Sequence, residues 1–462
     1  MAPYVVVGVT IICPMVFVRT SIFLPFSFDN TTTLGFLFTS WHDVGMERRN
    51  WLTLCGPGIL VAATGVGAGD LATASLTGGQ LGVAVLWAVV VGAALKYVLT
   101  EGLARWQLGT GQTFIQGCII HLGRPFQLFF LLFLLYWSLY VGSALMAACG
   151  VAAHGIIPLF DDPGRGKFWW GALHSMVGLV LIWRGGFRLF EKVMALCIAI
   201  MFVTVIVTAL RLGIDPGAIL RGIFIPEIPR WDSDGLSWTV ALIGGVGGTL
   251  TIMCYGYWMD ESGRKGAKPV TAMRIDLAVA YALTALFGMA MVAIGSQALT
   301  RSGGGAALLL QLTATLHETL GPVAAWIFLI GAWGAFFSSL LGVWQSVPYL
   351  FADFYYQSKG RVGEKTSTTA LAKTLPYRGY LVALAVVPLV LLSMDFKSLA
   401  KLYSLVGAAF MPFLALALIY LNNLTVLPRE FRNRWRSNAA LIIVVFFFAL
   451  AGYEAVSQKF FT

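Results

Sequence analysis

The sequence predicts an all-α integral membrane protein of about eleven transmembrane helices, with spans one and six broken near mid-membrane. Three observations predict this. Hydrophobic residues make up 58% of the 462 and charged residues only 11%, with mean hydropathy +0.81, whereas a soluble surface needs roughly 25% Asp, Glu, Lys and Arg. Apolar runs approaching the roughly 20 residues that cross a hydrocarbon core recur along the chain. Two of those runs are interrupted by glycine clusters and stand five spans apart. The composition excludes a cytosolic enzyme, a nucleic-acid-binding protein and a disordered chain. The net charge of +10 belongs to basic cytoplasmic loops. The runs are continuously apolar rather than alternating, which argues against a transmembrane barrel.

Residues 1–50 form an N-terminal segment that fits the pattern poorly. Val5 to Phe28 is apolar but broken by Pro14 and Pro25 and interrupted by Arg19. It fits a signal peptide, an extra span, or upstream sequence ahead of a start at Met46, and the last reading is favoured. From Trp51 onward, spans are expected at 53–76, 81–103, 126–158, 168–183 and 193–212, a first repeat over 51–212. A second repeat over 213–423 holds spans at 237–259, 275–297, 320–353, 379–394 and 399–421. Span eleven, at 438–456, lies in the closing segment 424–462. With the segment before span one in the cytoplasm, 20 Lys and Arg fall in inside loops and 9 outside, which orients the chain.

Span one reads Gly56-Pro-Gly-Ile-Leu-Val-Ala-Ala-Thr-Gly-Val-Gly-Ala-Gly-Asp70, with Gly65, Gly67 and Gly69 clustered. Span six reads Gly244-Gly-Val-Gly-Gly-Thr-Leu-Thr-Ile-Met-Cys-Tyr-Gly256, with Gly245 and Gly248 in its cluster. Each glycine costs a helix about 1 kcal/mol relative to alanine, so a cluster lets the helix unwind and expose carbonyls. Matching breaks in two halves point to an inverted-repeat transporter. Either segment alone fits tight helix packing through small residues equally well; the pair favours broken helices. Asp70 stands at the end of the first cluster. A carboxylate in a span costs at least about 2.5–3.5 kcal/mol and therefore faces a cavity, a cation or a partner, unless the span ends there and leaves it in a vestibule.

Lys96 and Glu101 in span two are read as structural first, with a proton or ion-pair role as the alternative. Asp260 and Glu261 are expected in water at the cytoplasmic end of span six. The six cysteines form no CxxC pair, so neither a disulfide framework nor a zinc site is indicated. No HExxH spacing and no phosphate-binding Gly-Lys-Ser/Thr loop occurs, which disfavours ATP-driven transport by this chain alone. No cofactor is called for.

Four segments carry a resemblance. Gly56-Pro-Gly-Ile-Leu-Val, Leu103-Ala-Arg-Trp-Gln-Leu-Gly-Thr-Gly111, Arg274-Ile-Asp-Leu-Ala-Val and Met411-Pro-Phe resemble the Nramp family of divalent-metal transporters over residues 50–420. The resemblance implies the LeuT-type fold, two inverted five-helix repeats around a mid-membrane metal site. The family's span-one motif, Asp-Pro-Gly-Asn, falls on Gly67-Ala68-Gly69-Asp70: the acidic position is glycine and the asparagine position is aspartate. The span-six motif, Met-Pro-His, places Thr251 at the methionine, and a register slip of two brings in Met253. The family's span-three acids are absent, since no Asp or Glu lies between Arg124 and Asp161.

The site set implied is Asp70, Gly67, Thr251 and Met253, opened by Gly65, Gly69, Gly245 and Gly248. The function implied is a secondary transporter moving a divalent cation of the Mn, Fe or Mg class by alternating access. An APC-superfamily carrier for a small organic solute such as an amino acid is the alternative. The expected surroundings are a lipid bilayer, a bacterial inner membrane, with no nucleic acid and no obligatory protein partner.

Overall fold

The computed structural model describes residues 7–13, 16–22, 56–231, 234–263, 270–298, 313–314, 317–318, 321–360 and 367–460. The chain divides into two units, Met1–Trp51 and Leu52–Thr462. In the first, β1 (Val7–Cys13) pairs antiparallel with β2 (Val16–Ile22), Val7 opposite Ile22 and Cys13 opposite Val16. An extra helical span is therefore not what these residues form. The runs Val-Gly-Val-Thr-Ile-Ile and Val-Phe-Val-Arg-Thr are rich in β-branched residues, which favour strands. Met46, Arg48 and Arg49 lie outside the described residues, as do Arg264, Lys265, Lys268, Arg301, Arg361 and Lys365 of the charge count.

Among the described residues of the second unit every secondary-structure element is a helix. Span one runs as α1 (Gly56–Gly65), a π-helical segment Val66–Thr73, and α2 (Ala74–Leu81). Its break is thus a widening of the helix, milder than the unwinding the glycines suggest. A π-segment shifts the backbone bonds from i+4 to i+5 and needs no left-handed residue. Gly82, at φ +70, ends the crossing, and α3 (Leu86–Thr110) makes span two. α4 (Phe114–Ile156) contains a break at Gly123, φ 67, directly before Arg124 and Pro125, so its membrane part matches the expected third span. Leu128, Leu132 and Leu135 on α4 are exposed, whereas Phe130, Leu134 and Trp137 are buried. That is one lipid-facing and one core-facing stripe at helical spacing.

α5 (Pro163–Arg211) is helical across both expected spans four and five. Asp162 starts it by accepting from the N–H groups of Gly164 (3.0 Å) and Arg165 (3.1 Å), which hold its carboxyl below the ordinary range. Two contacts show that α5 is not straight. His174 accepts from the Trp333 indole at 2.8 Å, and a Cβ at Gly331 would lie 3.2 Å from Thr204. In a straight helix residues 174 and 204 would stand about 45 Å apart, yet both touch one stretch of α10 (Pro322–Ser358). The chain reverses between them, giving two crossings.

Beyond α6 (Pro216–Phe224), span six comprises α7 (Gly235–Gly245), a tight 3-10 turn Leu250–Cys254, and α8 (Tyr255–Glu261). α9 (Val270–Ala298) and α10 make spans seven and eight. The short α11 (Thr368–Leu371) precedes span nine, which is α12 (Leu375–Val386) with a 3-10 end to Leu391. α13 (Phe396–Leu421) and α14 (Trp435–Phe460) complete the helices. Among the described residues seven helical runs are long and apolar enough to cross a membrane alone; Gly56–Gly65, Leu375–Leu391 and Trp435–Ala449 are shorter apolar helices. The protein is a multi-pass integral membrane protein.

Candidate substrate site at the broken spans

The two broken spans meet backbone to backbone. A Cβ at Gly65 would stand 2.8 Å from the carbonyl carbon of Gly247 and the nitrogen of Gly248, so only glycine permits this approach. α7 ends at Gly245, and the chain passes through Val246 (φ −54, ψ 130) to Gly247 (φ +71) and Gly248 (φ +86) before Leu250 restarts helical turns. These two φ values are costly for residues with a Cβ. A Cβ at Gly247 would also lie 2.8 Å from the Tyr281 ring. Gly247→Ala is therefore expected to destabilise the protein by about 1–2 kcal/mol from backbone strain alone, read as a lowered thermal midpoint in detergent. An unchanged midpoint would refute this backbone geometry.

Asp70 sits in the π-helical segment with no exposed surface. Its carboxylate accepts from the Gly247 N–H, 3.2 Å to Oδ1 and 3.4 Å to Oδ2. The carboxylate thus bridges span one to the unwound stretch of span six, and the vestibule reading is set aside by burial. Ser339 of α10 holds the same stretch of span one from the other side. Its hydroxyl accepts from the Gly67 N–H at 2.7 Å and donates to the Ala63 carbonyl at 3.2 Å. Thr73 shares a 2.8 Å hydrogen bond with Ser404 of α13.

Lys96 is the residue whose position the sequence does not reveal. It is fully buried, and it does not pair with Glu101. Its ammonium donates to the carbonyls of Gly244 (2.8 Å) and Val246 (3.2 Å), and to that of Gly248. Gly92 stands one helical turn before it on the same face of α3. A Cβ at Gly92 would lie 3.1 Å from the Ile243 carbonyl, so this glycine lets α3 approach the end of α7. Around the restart of span six, Thr249 accepts from the Trp137 indole at 2.9 Å and donates to Tyr403 at 3.4 Å.

Thr251 and Met253 are both buried in the 3-10 turn. A Cβ at Gly248 would stand 2.7 Å from the Thr251 hydroxyl, which puts Thr251 beside the break. Glu101 has an ion-pair role: Arg105 pairs with its Oε2 at 3.1 Å and Arg274 with its Oε1 at 2.8 Å. Asp260 and Glu261 are not simply solvated. Asp260 accepts from the Thr368 N–H at 3.2 Å and Glu261 from the Tyr349 hydroxyl at 3.0 Å, tying α8 to α11 and α10.

Two buried acids escape a reading that looks for carboxylates in span three. Asp276 accepts from the Gly58 N–H at 3.1 and 3.0 Å and from the Tyr255 hydroxyl at 3.0 Å, joining both broken spans to α9. Asp353 accepts from Tyr257 at 2.7 Å and from Thr113 at 2.5 Å. Each is an acid within an apolar run, which is the signal that finds them. No group of three or more His, Cys, Asp and Glu side chains suited to a metal occurs among the described residues.

A sequence profile of the Natural resistance-associated macrophage protein-like family matches residues 58–458. The chain belongs to the Nramp family. The bovine natural resistance-associated macrophage protein 1 is 22% identical over 431 residues, covering 84% of this chain and 74% of the relative. The divalent metal cation transporter MntH of Acidiphilium cryptum is 25% identical over 297 residues, covering 61% and 65%. Among solved structures, a mutant of the Eremococcus coleocola manganese transporter superposes with TM-score 0.69 at 15% identity, covering 90% of this chain and 89% of that one. MhsT in complex with L-phenylalanine superposes at 0.56 with 16% identity, covering 90% and 100%. These likenesses establish the LeuT-type fold, two inverted repeats with spans one and six broken, in a family of transporters and not enzymes. Within that Nramp fold, this chain places Asp70 and Lys96 against the unwound stretch of span six.

Proposed function

We propose that this Nramp-family protein is a secondary transporter that moves a divalent cation by alternating access, with Asp70 as the carboxylate that meets the cargo. The observation that carries this reading is the position of Asp70, wholly buried where the broken spans touch. The names of the MntH relatives and the manganese transporter support it. The Gly247 N–H is the group the cargo displaces from Asp70. The oxygen groups closest to the break are the Asp70 carboxylate and the Thr251 hydroxyl. An all-oxygen site suits Mg, Ca or Mn, whereas thioether and thiolate ligands favour softer ions. Cd is therefore expected to compete weakly against Mn or Mg during uptake into proteoliposomes. Tight Cd competition that vanishes in Met253→Ala would place a soft ligand in the site and overturn the hard-ion assignment.

Membrane potential supplies the driving force in this reading, about 2.3 kcal/mol per charge per 100 mV, and the cation moves inward across a bacterial inner membrane. The repeats run over 51–212 and 213–423. One observation favours a second reading. Lys96 brings a positive charge to the carbonyls of span six, and together with Asp70 it suits a small organic solute bearing both charges, such as an amino acid. Uptake measured for Mn, Mg and Fe(II) against an amino-acid panel separates the two. Potential-driven metal uptake supports the cation carrier, and amino-acid uptake without metal uptake replaces it.

A further inference from the structure

The break in span six orphans carbonyls. Where α7 stops at Gly245, the last carbonyls of the helix lose their i+4 partners, and they form the negative end of its dipole. Broken-helix carriers hold small coupling cations with such carbonyls. Here one of them, from Gly244, and two carbonyls of the unwound stretch beyond it, from Val246 and Gly248, converge on one point, and that point is the Lys96 ammonium. An ammonium has three N–H donors and no acceptor, so three carbonyls use it completely. The neighbouring Gly247 contributes its N–H to Asp70 instead. Alternate residues of one unwound strand therefore turn carbonyls to a cation and an amide to an anion.

We propose that the Lys96 ammonium is a tethered substitute for a coupling cation, filling a carbonyl site that a free monovalent ion would otherwise take. Lys96 reaches this site from α3, an unbroken helix, and its buried charge is matched by carbonyl dipoles and by Asp70 across Gly247. The proposal concerns the carbonyl site in the absence of cargo and so does not depend on which cargo meets Asp70. Its consequence is that the wild-type protein needs no sodium, potassium or ammonium to hold span six in its broken form, and that removing the side chain creates such a need.

The test uses purified full-length protein and thermal unfolding in detergent, with no cargo present, so its result is independent of the cargo assignment. The wild-type midpoint is expected to be the same in N-methylglucamine, sodium, potassium, ammonium and methylammonium chlorides. Lys96→Ala is expected to unfold several degrees lower in N-methylglucamine. One of the small cations should restore its midpoint along a saturating curve, as a ligand bound only by the folded state does. A folded Lys96→Ala that responds to none of these cations overturns the proposal. Lys96→Gln decides the matter where the alanine variant fails to fold: its neutral amide fills the space, so its midpoint should stay low in every salt. A glutamine variant as stable as the wild type would show that no cation is needed there.

Discussion

Asp70→Ala is expected to abolish cation uptake in proteoliposomes while the protein remains folded. The side chain has no exposed surface, and its carboxylate accepts from the backbone of the opposite broken span. Its removal deletes the negative charge at the contact between spans one and six. The structural penalty comes from one buried N–H that loses its acceptor, a cost of about 1–3 kcal/mol, while the Lys96 ammonium, which loses a nearby counter-charge, keeps its three carbonyl partners. A monodisperse variant with a modestly lowered thermal midpoint and no uptake is the expected pair of results. Normal uptake by Asp70→Ala would place the cargo elsewhere and remove the basis for the cation site proposed at the break.

Glu101→Ala is expected to be among the most destabilising single changes in the membrane region. Glu101 lies between two guanidinium groups, with Arg105 at 3.1 Å and Arg274 at 2.8 Å. The side chain of Arg105 is only 3% exposed; it also donates to the Phe431 carbonyl at 3.0 Å and to Asn433 at 2.8 Å. Removing one partner of a buried pair leaves an uncompensated charge, a loss of about 3–5 kcal/mol. Because Arg274 is half-exposed, the Arg105 side of the trio carries most of that loss. A thermal midpoint within a degree or two of wild type would contradict the buried pairing.

The same trio bears on coupling. With its oxygens held by two arginines, Glu101 is a brace between α3, α9 and the segment before α14, and uptake is expected to follow the potential with little proton flux. Internal pH recorded in proteoliposomes under a valinomycin clamp checks this. Metal-dependent acidification that disappears in a folded Glu101→Gln would make Glu101 the proton carrier instead.

Much of the fold was legible in one dimension because the bilayer imposes a one-dimensional rule: every span must be apolar for about 20 residues. The runs that end near Gly82, Gly123 and Gly245 reveal their boundaries through residues with special backbone freedom. Asp70 was legible as a buried acid needing a partner because a carboxylate in an apolar run is costly wherever the helix turns it. The β1–β2 pairing was not, since an apolar stretch of this length serves equally as a strand pair or a span. The extent of each break also escaped the sequence. Glycine clusters of similar composition produce a π-helical widening in span one and a true interruption in span six.

What the sequence by itself determined is the membrane-spanning class, the order of the crossings, and the identity of the two interrupted ones, because hydropathy and glycine spacing are local properties. Where the charged side chains go was decided by the tertiary structure alone. Lys96 and Glu101 are five residues apart on one helix and read alike in sequence, yet one reaches the carbonyls of span six and the other a pair of arginines. Asp276 and Asp353 likewise find their partners on other helices, more than ninety residues away for Tyr257 and Asp353. A buried charge is placed by whatever donor or acceptor the packing brings within about 3 Å, and that neighbour is set by how helices meet rather than by the residues on either side.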